Sequence, residues 1–84
     1  MRLDKFLKLS RIIKRRSVAK EVCDLGNISI GDKVAKAGSE VKPGDILTIK
    51  FGNRNLTVRI ISTPEVVRVQ EAPETYEILN EIGN

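Results

Sequence analysis

The 84-residue chain has no histidine and no tryptophan, a single cysteine, and three aromatic residues, Phe6, Phe51 and Tyr76. Without histidine there is no imidazole base and no His-containing metal cluster, and Cys23 alone cannot form an internal disulfide. Most familiar hydrolytic and metal chemistry is thereby excluded, and neither a metal site nor a cofactor is expected. Apolar residues never run beyond two in succession, as at Ile12-Ile13 and Ile46-Leu47. No membrane span and no signal-peptide core can be drawn from runs that short, so a cytoplasmic location without membrane attachment is expected. A chain of this length has room for one domain with one modest core, burying roughly 60–65% of the surface of its unfolded form.

Positive charge is abundant, and it is unevenly placed. The net charge is +4, yet residues 1–20 hold eight basic residues and one acid (+7), while residues 21–84 hold seven basic residues and ten acids (−3). A split of this kind marks a surface that meets a polyanion, nucleic acid being the commonest case and an anionic membrane the next. A solvated helix face is the ordinary explanation of charge on a small domain. Eight cations within 20 residues, several of them opposite an apolar stripe, repel one another unless an anion offsets them, and phosphates suit arginine well.

Hydrophobic spacing in "RLDKFLKLSRIIKRRSVAKEV" predicts two helices. Leu3, Phe6 and Leu7 share one face, with Arg2, Lys5 and Lys8 on the other and Asp4 in the first turn, where a carboxylate suits the helix dipole. Leu9, Ile12 and Ile13 fall out of phase, so a break is expected near Ser10. Ser17 is the expected N-cap of the second helix, with Val18, Val22 and Leu25 inward, Cys23 near the buried side, and Gly26 just past the end. Arg15 and Arg16 would then lie beside backbone N–H groups that themselves favour anions.

From residue 27 the period becomes two. "NISI" and "KVAK" flank Gly31-Asp32, a pair suited to a type II′ hairpin, and Pro43-Gly44 makes a turn before a strand with Leu47, Ile49 and Phe51 on one face. Gly52-Asn53 turns the chain into a strand carrying Leu56, Val58 and Ile60, and "VVRVQ" suggests another. Pro73 opens an expected closing helix with Tyr76, Leu79 and Ile82 inward. The fold class is α+β: two N-terminal helices, an antiparallel sheet of about four to five strands, and a C-terminal helix. All three aromatics fall in inward phases, so they are assigned to core packing, and a protein without stacking platforms should read structured RNA through backbone and shape. The acids Asp4, Asp24, Asp32 and Asp45 sit at helix ends and turns, which are structural niches, so no catalytic residue is assigned and the protein is not expected to be an enzyme.

Taken in order and spacing, "RLDKFL", "RRSVAKEV", "GNISI" and "VKPGD" resemble the S-four RNA-binding domain, the module of small-subunit ribosomal protein S-four, some tRNA synthetases and pseudouridine synthases. The resemblance covers residues 1–60, with a C-terminal strand and helix at 61–84 expected to pack on the same domain. Gly31-Asp32 departs from the Asn-Gly that many members carry in the first hairpin. The family implies an RNA surface made by the two helices and that hairpin, with Arg2 and Arg16 matching its RNA-contacting arginines and Asp4 its motif acid. Adding the charge reading, the candidate RNA-binding residues are Arg2, Lys5, Lys8, Arg11, Lys14, Arg15, Arg16 and Lys20.

A free-standing chain ending in "YEILNEI" is similar to the RqcP proteins of bacterial ribosome-associated quality control, relatives of heat-shock protein fifteen. That resemblance implies a monomer binding an obstructed large ribosomal subunit through ribosomal RNA and peptidyl-tRNA. It also implies support for C-terminal poly-alanine tailing by a factor of the RqcH type. Rival readings are a general ribosome-assembly or heat-shock RNA-binding protein, the recognition domain of an RNA-modifying enzyme, which would continue well beyond residue 84, and attachment to an anionic membrane, which would need the apolar residues that the core requires.

Overall fold

The computed structural model describes residues 1–63 and 75–82. Its elements in chain order are α1 (Leu3–Leu9), α2 (Arg16–Asp24), β1 (Ile28–Ile30), β2 (Lys33–Val34), β3 (Ile46–Phe51), β4 (Arg54–Ile60) and β5 (Tyr76–Ile82). The strands form one antiparallel sheet in the order β2-β1-β3-β4-β5.

In α1 the stripe of Leu3, Phe6 and Leu7 is buried, as its spacing predicts. The helix stops at the expected place: Ser10 is its C-cap, and Arg11 follows with φ +65°, the sole non-glycine residue with positive φ among those described. The Arg11 N–H closes the end by donating to the Lys8 carbonyl (3.0 Å). Glycine usually takes this left-handed position, and a residue with a Cβ there costs roughly 1 kcal/mol.

The second helix begins earlier than Ser17. Arg15 is the extended residue at its start, no side chain caps it, and the Ala19 N–H already bonds the Arg15 carbonyl (3.0 Å). With Ser17 as the cap, the Ala19 N–H would fall in the first turn and lack an intrahelical acceptor; the longer helix supplies one and sets Ala19 beside Cys23 on the buried stripe. Gly26, at φ +78°, closes the other end as predicted, since its N–H bonds the Cys23 carbonyl (2.9 Å) and the Asn27 N–H bonds the Val22 carbonyl (3.2 Å), the two bonds of a Schellman motif. Leu25, expected inward, is 69% exposed because it is the capping residue, beyond the stripe that Ala19, Val22 and Cys23 complete.

The first hairpin turns at Gly31, whose φ is +59° while Asp32 stays negative, the pattern of a type II′ turn. Lys42-Pro43-Gly44-Asp45 forms the second turn: the Asp45 N–H donates to the Lys42 carbonyl (3.1 Å), the Lys42 N–H donates to Asp45 Oδ2 (3.0 Å), and Gly44 supplies φ +96°. Register places Ile28 opposite Ile49 and Leu47 opposite Val58, so one sheet face is a continuous apolar layer joined to the helices. Ser29, Thr48 and Thr57 pair across the other face.

The closing helix is not formed: residues 76–82 are the edge strand β5, antiparallel to β4 with a bulge at Thr57/Val58. Tyr76, Leu79 and Ile82 do have helical spacing, but Tyr76 and Ile78 also alternate with Glu77, and pairing with β4 satisfies the backbone while setting Glu77 opposite Arg59. Tyr76 is half-buried, and Leu79 and Ile82 are exposed. The expected strand "VVRVQ" and the helix start at Pro73 lie outside the described residues. Phe51 is also corrected, being 46% exposed: the buried layer of β3 ends at Ile49, and Phe51 sits beyond it at the Gly52-Asn53 turn.

This packing separates two leucines sharply. Leu47→Ala, at a position with no exposure, should cost about 2–5 kcal/mol in urea unfolding, and Leu25→Ala should stay within about 0.5 kcal/mol. Equal losses would contradict the burial described for these two positions.

Candidate nucleic-acid interface

The start of α1 is fixed by the loop that follows β2. Its first amides donate to carbonyls of that loop, Leu3 N–H to Ser39 (2.8 Å) and Asp4 N–H to Ala37 (3.1 Å), while the Val41 N–H returns a bond to Met1 (2.9 Å). The terminal ammonium pairs with Glu40 (2.8 Å). Amides with no intrahelical acceptor are thereby satisfied without a side-chain cap. Asp4 is held where only 3% of it is exposed.

A buried carboxylate needs partners, and Asp4 has them from both helices. Arg2 donates through Nε to Oδ1 (3.2 Å) and through an Nη to Oδ2 (3.4 Å), Arg16 donates through Nε to Oδ2 (3.4 Å), and the Lys5 N–H donates to Oδ1 (2.8 Å). Two guanidiniums are thus drawn to one carboxylate, one of them from twelve positions away in sequence. Their side chains remain 55% and 49% exposed, and each has more donors than this carboxylate accepts. The result is a forked cationic surface with its orientation set from below.

The other candidates lie on the same two helices and the linker between them. Lys8 is exposed in the last turn of α1, where a cation suits the helix dipole, and Lys20 is exposed on α2. Arg11 and Lys14 are exposed on the linker, Arg15 at the start of α2, and Lys5 is half-buried in α1. The first turn of α2 contains no acid, so the positive end of its dipole adds to Arg15 and Arg16. Phosphate is the chemistry such a surface accepts.

Cys23 has a structural role. Burial first, then the charges of Asp4 and Asp24, push its thiol up from 9.0 to about 11, so it stays protonated and unreactive at neutral pH. Among the described residues no group of His, Cys, Asp and Glu is arranged to hold a metal ion. None of the described helices is long and apolar enough to cross a membrane.

Sequence reading placed Asp4 in the first turn but not between two arginines, and it missed the carbonyls of Ala37 and Ser39 and the Glu40 pair with the terminus. Backbone carbonyls leave no residue signature. A signal for the arginine bridge did exist: an acid isolated among eight cations, at an otherwise apolar phase of the helix.

The S4 domain family matches residues 1–47. The chain is 56% identical over 81 residues to the RQC P-site tRNA stabilizing factor of Halalkalibacterium halodurans, covering 96% of this chain and 92% of the relative. It is 54% identical to that of Bacillus subtilis, covering 96% and 94%. The trimeric structure of Vibrio cholerae heat shock protein 15 superposes with a TM-score of 0.84 at 29% identity, covering 93% of this chain and 80% of that one.

Two measurements test this interface. Asp4→Asn should lower stability by about 1–3 kcal/mol in urea unfolding, more than Arg2→Ala or Arg16→Ala, because each arginine is half-exposed and its loss leaves the carboxylate other partners. The raised Cys23 pKa makes the folded state hold its proton more tightly than the unfolded state. Its contribution is therefore complete below about pH 9 and is lost as pH rises towards about 11. Cys23→Ala should flatten the stability profile in that window; an unchanged slope would show that the thiol does not titrate as described.

Proposed function

Because the chain belongs to the S4 domain family and, over nearly its whole length, to the RQC P-site tRNA stabilizing factors, we propose that it binds the obstructed large ribosomal subunit through ribosomal RNA and peptidyl-tRNA. There it supports C-terminal poly-alanine tailing of stalled nascent chains by an RqcH-type factor. The observation that carries the RNA contact is the Arg2–Asp4–Arg16 bridge, which presents two half-exposed guanidiniums in a fixed relation. A bidentate donor suits a phosphate oxygen pair, and an arrangement set in advance loses less entropy on binding.

The role is binding without turnover, in the cytoplasm and as a monomer. The chain has no histidine, and its one thiol is held neutral, so neither of the usual general bases and nucleophiles is at hand. Recognition of RNA through phosphates and shape supplies affinity, and a P-site tRNA beside ribosomal RNA would supply adjoining helical backbones.

Two outcomes are expected. Arg16→Ala should weaken co-sedimentation with large subunits roughly ten- to hundredfold, with Arg2→Ala close behind, whereas Arg59→Ala on β4, paired with Glu77, should change little. Arg16→Ala binding like Arg59→Ala would refute this placing of the RNA surface. Neutralising about four to six phosphates would also make affinity fall steeply between low and moderate salt, so a flat salt dependence measured by the same assay would contradict the basic surface.

A further inference from the structure

The corrected position of Phe51 leaves an apolar depression beside the basic cluster. It is about 350 Å³ in volume, and its walls are Ile12 and Ile13 from the linker, Val18 from α2 and the half-exposed ring of Phe51, with Lys14 and Arg15 beside them. That volume falls at the small end of the range for ligand sites, roughly 300–1,000 Å³. A second depression of about 240 Å³ adjoins it along Ile12, Ile13 and Phe51; Arg11 and Arg54 line it, but so does the acid Glu81, which pairs with Arg54 at 2.7 Å. In the first, two consecutive cations flank the apolar walls and no acid lines them.

Resting on the RNA-binding reading above, we propose that this depression takes one unpaired nucleotide of a structured RNA. Its base stacks on Phe51 between Ile12 and Val18, and its phosphates meet Lys14 and Arg15. The occupant follows from complementarity: a flat apolar face and an anionic backbone joined in one unit describe a nucleotide, and Lys14 and Arg15, which flank the groove, are two of the eight cations of the first 20 residues. An apolar peptide would be served by the walls but not by Lys14 and Arg15. Stacking tolerates any base, so the site confers a preference for an unpaired position and not for a sequence.

The test uses the full chain and two RNA hairpins, one fully paired and one identical but for a single bulged iodouridine. Wild type and Phe51→Tyr should bind the bulged hairpin about tenfold more tightly than the paired one, and irradiation should crosslink the bulged base to residue 51. Phe51→Leu, which keeps an apolar side chain at an exposed strand end and should melt normally, should bind both hairpins alike with its affinity for the paired one unchanged. A wild type without bulge preference, a preference that survives in Phe51→Leu, or a crosslink mapping elsewhere overturns the nucleotide site; if Arg16→Ala still weakens both hairpins, the RNA-binding reading stands without it. If neither hairpin binds wild type at low salt, both readings fall together.

Discussion

A single buried carboxylate organises the cationic end of this domain. Asp4 lies at a position of α1 where the helical phase is otherwise apolar, and a charge there is tolerable only because it accepts from Arg2, from Arg16 and from the Lys5 amide. The arrangement restrains in both directions. Desolvation of the acid demands donors, and the donors it recruits include two arginines of like charge. One buried negative charge thus converts a pair of mobile cations into a fixed fork while leaving most of their donors turned outward. The loop after β2 takes part, because its Ala37 and Ser39 carbonyls fix the first turn of α1 and so the acid itself. The loop after the first hairpin therefore helps to position the Arg2–Asp4–Arg16 bridge through its backbone.

The sheet determines what the helices can expose. Its apolar face, from Ile28 through Leu47 and Ile49 to Val58 and Ile60, is joined to Leu3, Phe6 and Leu7 of α1 and to Ala19, Val22 and Cys23 of α2. With those stripes committed to the core, the polar faces of both helices must point outward, and that is where the cations were placed by the 3.6-residue period. The linker is the exception. Arg11 adopts a left-handed conformation to reverse the chain within a few residues, and the tight turn brings Ile12 and Ile13 back towards the sheet, between the basic residues and Phe51. Strain at Arg11 and the apolar groove are two results of one short connection.

Local signals made much of this legible from residues alone. The break at Ser10, Gly26 beyond α2, the Gly31 and Pro43-Gly44 turns, and the alternating strands follow from capping and turn chemistry that depends on neighbours a few positions away. The errors share an opposite cause. Tyr76, Leu79 and Ile82 satisfy a helical period, and only the availability of β4 as a partner made residues 76–82 a strand. Ser17 is a better cap by type than Arg15, yet packing of Ala19 beside Cys23 extended the helix past it. Phe51 obeys the strand alternation but stands where the layer above it has ended. For the interface, the identity of the cations and of Asp4 was readable, whereas their convergence was not, since twelve positions separate Asp4 from Arg16 and no local period links them.

The same electrostatics connect folding to binding. Unfolded, the eight cations of the first 20 residues can spread apart; folded, two short helices and their linker hold them in fixed places, and the offsets within the chain are partial. Asp4 compensates Arg2 and Arg16 together with one charge, Lys8 is favoured by the end of α1, and α2 begins with Arg15 and Arg16 at the wrong pole of its dipole with no acid in its first turn. Replacing Arg15 by an acid would suit the isolated helix better, whereas Arg16 has a partner within the chain in Asp4. A polyanion bound under the proposed function would supply charge at the places where the fold leaves it uncompensated. Because such a ligand would favour the folded arrangement over the spread one, its binding energy would add to the stability of the domain.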